Sequence, residues 1–285
     1  MQCAPYNASR ARKVRRENSA SPTHHESCFF KKQLISITKA LGIDGLGPRS
    51  TKATLWKAIN ETMQRKYGCE SGNEHCWIEQ NDRAGAYKES FVPNAPEEWS
   101  ANPEAWLSNF DILNVLTQYE KRYPSFKFIG VFPINFSQRD PIGRCISKEI
   151  CALNLKALKR YTSFGAVFNL DRHDQPGSHW VCTYFSLSEP NRGFYYFDSN
   201  AEPMPIEIRR FADSIRAQVK SPETFEIREN QHRKQFGNNE CGMFCIHFII
   251  KCLQRKSFDD ITQSKFYDKH ANALRKKLFR TKSKK

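Results

Sequence analysis

No apolar run in this 285-residue sequence approaches the roughly 18 residues needed to cross a bilayer, so no membrane-spanning helix is predicted. The first twenty residues also lack an apolar stretch. They carry Arg10, Arg12, Lys13, Arg15 and Arg16 instead, which is not the make-up of a secretory signal. Acid is missing from the other end, where Arg275 to Lys285 holds seven cations and no Asp or Glu. Internal repeats and low-complexity tracts are absent as well, which excludes solenoid and fibrous classes. Ten cysteines without signs of secretion are expected to be reduced thiols, and the glycosylation-type triplets at Asn7, Asn60 and Asn135 to be chance matches.

What is present is enough for a packed core. The chain is 39% hydrophobic and 13% aromatic, so it is not a disordered polymer, and its length allows one ordinary domain plus a smaller one. The net charge of +15 gathers at the two ends. Such a chain is expected to associate with polyanions such as nucleic acid through its basic termini. Solvated tails that serve solubility or import are the plainer alternative, because no nucleic-acid-binding motif accompanies the charge.

Patterning predicts a basic leader over 1–26, a helical accessory domain with its linker over 27–100, and a larger domain over 101–285 ending in a basic tail. In the first domain Leu34, Ile35, Ile37, Thr38 and Leu41 share a helix face that ends at Gly42, and Leu55, Ile59 and Met63 repeat at four-residue spacing. Residues 78–100 are polar and contain Pro93 and Pro96, so the linker is placed there. The second domain opens with a capping-box sequence, Ser108-Asn-Phe-Asp111, and an apolar stripe through Ile112, Leu113, Leu116 and Tyr119. Strands are predicted over 126–136, 164–170, 179–187, 193–197 and 225–228. Helices are predicted over 150–158, 205–219 (burying Ile206, Phe211 and Ile215), 241–254 and 266–279. Strands flanked by helices in this order imply an α+β fold.

The chemistry concentrates near one turn, Gln235-Phe-Gly-Asn-Asn-Glu-Cys241-Gly242, which opens an apolar helix. A thiol at a helix N-terminus sits among unpaired N–H groups at the positive end of the backbone dipole, an environment that favours thiolate. Cys245 and Cys252 fall inside that helix and Cys182 inside a strand, where thiols are desolvated. His179 follows Pro-Gly-Ser at the mouth of a strand and is the candidate base. His247 lies on another face of the helix from Cys241, and His173 and His232 sit in polar loops as weaker candidates. Asp198 ends an aromatic strand and would orient the imidazole. Gln235 and the Cys241 N–H could hold an oxyanion. Nucleophile, base, orienting group and oxyanion donors are the parts a thiol peptidase requires.

The order His179-Trp180, Asp198, then Gln235-x5-Cys241-Gly242 resembles the adenain-type clan of cysteine proteases. That clan includes adenovirus-type proteases, SUMO deconjugases and processing proteases of large DNA viruses. Within it the chain is most similar to the polyprotein-processing protease of the African swine fever type of virus. The similar stretches are Leu107-Ser-Asn-Phe-Asp-Ile112, Phe164-Gly-Ala-Val-Phe-Asn-Leu-Asp171, Pro176-Gly-Ser-His-Trp-Val181 and Glu240-Cys-Gly242. The resemblance covers residues 106–250; for residues 1–100 it implies only that an extra helical domain is usual.

The resemblance implies an adenain-like core, a mixed sheet flanked by helices, and a monomer with no cofactor and no metal. It implies cleavage of a protein substrate at glycine-rich sites (Gly-Gly-X or Gly-X-Gly), in the virus factory of the host cytoplasm and in the virion. Trp180 and Trp106 match the tryptophans that flank those glycines in the deconjugases, although Trp106 departs from the viral branch. Two other functions stay open: a SUMO- or ubiquitin-like deconjugase, and a non-enzymatic nucleic-acid-binding virion protein. A zinc site from Cys69, His75 and Cys76, or from His24, His25 and Cys28, is a rival chemistry, although the spacing matches no common finger.

Overall fold

In the computed structural model residues 3–5 and 27–280 are described; the remainder of the basic leader, and the last five residues of the tail, lie outside them. The chain divides into two compact units. One contains the residues up to Asn94 together with Lys277–Arg280, the other the rest from Ala95 to Lys276.

The first unit is helical. Helix α1 (Lys31–Ala40) buries Leu34, Ile37 and Thr38, and α2 (Lys52–Tyr67) buries Leu55, Ile59 and Met63. The Thr51 hydroxyl caps α2 by accepting from the Thr54 N–H, and Gly68 stops it at φ +67°, where a side chain is disfavoured. Helices α3 (Glu74–Gln80) and α4 (Asp82–Gly85) close the unit around Phe29 and Trp77, whose rings stack at 6.0 Å.

Two expectations are corrected here. Residues 78–92 do not form a linker: α4 lies among them, and Ala84, Phe91 and Val92 are buried. Their few apolar residues are spaced too irregularly to show periodicity, yet Ala84 and Phe91 fill the unit's core, with Ile78 and Tyr87 packed against it. Nor are all ten cysteines reduced. Cys3–Cys28, Cys69–Cys76 and Cys145–Cys151 are bonded, leaving Cys182, Cys241, Cys245 and Cys252 as thiols. Compartment was the only criterion the sequence offered, whereas local chain folding brings these sulfurs together. Pairing also removes Cys28, Cys69 and Cys76 as free zinc ligands. Among the described residues no cluster of three or more His, Cys, Asp or Glu could hold a metal; His24 and His25 lie outside them.

The second unit meets the α+β expectation. Helix α5 (Asn109–Arg122) starts with the predicted capping box, Ser108 Oγ accepting from the Asp111 N–H. A five-stranded sheet follows, in the order β1 (Phe126–Pro133), β2 (Ser163–Asn169), β3 (Trp180–Ser186), β4 (Gly193–Phe197) and β5 (Ile227–Glu229). The outer pairs are parallel and the two central pairs antiparallel. Strand β1 ends at Pro133, three residues earlier than expected, because proline cannot donate to the ladder. Between β1 and β2 the predicted helix is broken into α6 (Lys148–Cys151) and a 3₁₀ turn over Leu155–Leu158, with Asn154 capping the second piece.

The three central strands are buried almost throughout, so each sheet face must be covered. Helix α7 (Ile206–Arg216) covers one. Its Phe211 ring packs edge-on against Phe185 and Phe194 at 6.2 and 5.8 Å. Helix α8 (Cys241–Leu253) covers the other, with Phe248 stacked on Phe197 at 4.8 Å and Cys182 Sγ against the Cys245 carbonyl. Short α9 (Phe258–Thr262) and α10 (Asp268–Leu278) follow.

The expected burial of Ile206 is overturned. Ile208, Phe211, Ala212 and Ile215 form the i, i+3, i+4, i+7 stripe, whereas Ile206 points away and is 55% exposed. Phe211→Ala is therefore expected to cost about 3–5 kcal/mol of unfolding free energy. Ile206→Ala should cost less than about 0.5 kcal/mol. Denaturant titration of both variants checks this, and comparable losses would contradict the assignment of faces.

Candidate active site

Sheet register explains why two residues nineteen positions apart meet. Strands β3 and β4 run antiparallel with Cys182 opposite Phe197. Residue 198 therefore leaves the sheet at the edge where β3 begins, and His179 Nε2 lies 2.6 Å from Asp198 Oδ1. Asp198 is fully buried. Asn230 clamps its backbone from both sides, accepting the Asp198 N–H at 2.8 Å and donating to its carbonyl at 2.7 Å. The Asn200 N–H donates to Oδ1 at 2.8 Å, while Oδ2 is buried without a hydrogen-bond partner among the described residues. His179 is the ion-pair partner of this buried carboxylate.

The loop that delivers His179 is itself tied down. Gly177 has φ +100°, and a Cβ there would meet Asn169 Nδ2 at 2.8 Å, so the turn requires glycine. Asp171 accepts from the Gly177 N–H and the Ser178 hydroxyl, at 3.1 and 2.6 Å, and Asn169 Oδ1 accepts from the Ser178 N–H.

Cys241 is the first residue of α8 and buried, and it is one of the two groups that raise the His179 pKa. Because Asp198 occupies Nε2, Nδ1 is the nitrogen left to face the sulfur. Burial is the largest influence on the imidazole and pulls its pKa down. The hydrogen bonds from Asp198 and Cys241, with their charges, outweigh burial and push it up to about 10. The shift favours the imidazolium form of the ring. An imidazolium fixed by a carboxylate beside a sulfur can hold a nucleophile and then protonate a leaving amine. The competing thiols lack this: burial pushes Cys182, Cys245 and Cys252 up. Burial also lowers His247 to about 3, where it stacks flat on Phe266 at 3.5 Å, and His173 is engaged by Asn135.

Gln235 is buried in the expected turn but is not hydrogen-bonded to Cys241 or His179. Its Oε1 accepts from the Ser199 hydroxyl at 2.7 Å, and its Nε2–H donates to the Gly237 carbonyl at 3.1 Å. An amide carries two N–H donors, so the second is not used by either of these bonds.

Trp180 and Trp106 line a cleft of about 470 Å³ together with Leu107, Asp171, His173 and Gly177. Trp180 is 7% exposed and donates to the Leu107 carbonyl at 2.9 Å; Trp106 is 38% exposed and donates to Asn239 Oδ1 at 2.7 Å. Only Trp106 is therefore free to meet a ligand with much of its face. A Cβ on Gly242 would sit 3.2 Å from Leu107 and 3.4 Å from Trp180, so this glycine lets α8 abut the cleft wall. Asn230, Asn169, Asp171 and Ser199 support the site yet carry no local sequence signature. The only available hint was that buried-looking strands ended in Asn and Asp.

Comparison with known proteins converges on one family. The description "Ulp1 protease family, C-terminal catalytic domain" matches residues 166–285. A protein of Acanthamoeba polyphaga mimivirus, assigned as a thiol protease, is 31% identical over 287 residues, covering 90% of each chain. The cysteine protease of African swine fever virus is 24% identical over 192 residues, covering 63% of this chain and 69% of that one. The crystal structure of the African swine fever virus protease shares the fold, with TM-score 0.61 at 19% identity over 99% of this chain and 96% of that one.

The electrostatics yield a titration test. A raised folded-state pKa makes His179 a contributor to stability that is fully present below about 6.5 and is lost as pH rises through about 10. Imidazole NMR is expected to show the ring protonated throughout the neutral range, and titrating lower in Asp198→Asn. A wild-type ring that titrates at or below 6.5 would contradict the electrostatic picture.

Proposed function

The chain belongs to the Ulp1 family of cysteine proteases, and from that membership we propose that Cys241, His179, Asp198 and Gln235 form its catalytic set. Cys241 Sγ attacks a peptide carbonyl. The His179 imidazolium, steadied by Asp198, protonates the departing amine, and neutral His179 then draws a proton from the water that hydrolyses the thioester. The Cys241 backbone N–H and the second Gln235 Nε2–H hold the oxyanion. The observation that carries this mechanism is the 2.6 Å bond from His179 Nε2 to Asp198, which leaves the opposite edge of the ring for the sulfur.

The substrate is a viral structural polyprotein cut at glycine-rich sites during virion maturation. Trp180 and Trp106 with Leu107 build a wall against which residues without side chains pass most easily, and this supports glycine beside the scissile bond. The mimivirus and African swine fever virus relatives support a large-DNA-virus setting, with action in the virus factory and virion. Some African swine fever virus relatives carry the description "SUMO-1 cysteine protease", and this favours a second reading, deconjugation of a SUMO-like modifier by the same chemistry. The basic chain ends fit nucleic acid as an additional partner.

Purified protein, incubated separately with a viral polyprotein precursor and with a SUMO conjugate, tests the choice. Cleavage of the precursor after glycine is expected, with Cys241→Ala inactive. Gln235→Ala should lower kcat by about 10²–10³, the usual effect of removing one oxyanion donor. Cleavage of the conjugate alone would replace the first substrate with the second, and full activity of Cys241→Ala would end the mechanism.

A further inference from the structure

Helix α10, the second helix after the one that Cys241 opens, presents polar side chains to the turn before Cys241. Asp268, Asn272 and Arg275 of α10 stand at i, i+4 and i+7, which places them on one face. All three reach the same short segment, residues 236–240, immediately before Cys241. Asp268 Oδ2 accepts the Phe236 and Gly237 N–H groups at 2.9 and 3.0 Å. Asn272 Nδ2–H donates to Glu240 Oε1 at 3.0 Å. Arg275 Nη2–H donates to the Asn239 carbonyl at 2.5 Å.

Arg275 does more than hold the turn. Its Nη1–H donates to the Ala105 carbonyl at 2.7 Å, its Nε–H to Asn272 Oδ1 at 3.0 Å, and its guanidinium lies over the Trp99 ring at 4.8 Å. It is 2% exposed, so a charge has been buried to make these contacts. Ala105 precedes Trp106, and Trp106 donates to Asn239, the residue whose carbonyl Arg275 holds. One planar fork thus ties the cleft wall to the turn before the nucleophile. A lysine could not do so, because it lacks donors fixed in a fork. Glu240, at the helix N-cap, makes no capping bond of its own; its carboxylate accepts from Asn239 and Asn272. The turn relies on α10 for its shape.

We propose that Arg275 is a positioning residue for acyl transfer: it fixes the Asn239–Cys241 backbone so that the oxyanion donors face the carbonyl, and sets Trp106 beside them. This rests on the catalytic set proposed above. It acts through the turn and touches neither substrate nor sulfur. Its loss is therefore expected to spoil reactions that pass through an oxyanion while sparing reactions of the thiol alone.

Two reagents separate these. With p-nitrophenyl acetate, the Cys241 thiolate paired with the His179 imidazolium attacks, the sulfur–carbon bond forms through a tetrahedral oxyanion, the ester C–O bond breaks and p-nitrophenolate leaves, the ring keeping its proton. With iodoacetamide the sulfur–carbon bond forms as iodide leaves, and no oxyanion arises. Arg275→Met is expected to slow Cys241 acylation about 100-fold, the scale for an oxyanion donor displaced by an ångström, with alkylation within about threefold of wild type. Arg275→Lys should fall between, and Asn272→Leu, which releases Glu240, should show the same divergence and serves should the Arg275 variants not fold.

Mass spectrometry confirms the site of modification and circular dichroism the fold. Acylation within about threefold of wild type in a folded Arg275→Met, or parallel loss of acylation and alkylation, overturns the proposal while leaving the catalytic set standing. A wild type whose Cys241 neither acylates nor alkylates selectively overturns the catalytic set itself.

Discussion

A buried carboxylate whose ion-pair partner is one imidazole is the interaction on which the rest of this site depends. Asp198 could not remain charged inside the sheet edge without compensation. The Asn200 N–H supplies a hydrogen bond to the carboxylate and Asn230 holds the backbone behind it, but His179 supplies the charge. The same bond fixes which ring nitrogen is left for Cys241 and keeps the ring protonated. Geometry and protonation state are therefore set together, by the antiparallel register of β3 and β4.

That dependence explains which parts of the site were legible in the sequence. Cys241 could be found because a helix N-terminus is a local feature: a polar turn, then an apolar run. His179 and Asp198 could be found because one begins and the other ends an aromatic strand, and adjacent strands most often pair. The α+β order and the stripes of α1, α2 and α5 were visible for the same reason, since periodicity is a short-range property. The resemblance to known proteases rested on these same local stretches.

What escaped the sequence is long-range or lies against the local signal. Ile206 looked like a core residue because it is apolar at a helix start, but the stripe is set by the register of Ile208 and Phe211 on the sheet. The chain from 78 to 92 looked like a linker because its apolar residues are scattered, yet they converge on Phe29 and Trp77. The disulfides joined cysteines that no motif connects. Asn230 lies 32 positions from Asp198 and Arg275 lies 170 from Ala105, and each works through backbone groups that a sequence does not display.

The helix α8 must satisfy two demands that pull in opposite directions. Its body is apolar on nearly every side and so must be buried, and burial fixes Cys241 rigidly against the sheet. Its first turn is buried as well, yet the proposed mechanism asks its N-terminal N–H to meet a tetrahedral oxyanion. A side-chain cap at Glu240 would have accepted from the N–H of the second or third residue of the helix, Gly242 or Met243. The cap is missing, and the glutamate is turned outward to Asn239 and Asn272. Rigidity of the uncapped turn is then supplied from outside, by Asp268, Asn272 and Arg275, whose hydrogen bonds go to residues 236–240. In the proposed mechanism, an uncapped helix end held by a neighbouring helix is what reconciles a buried nucleophile with an oxyanion site.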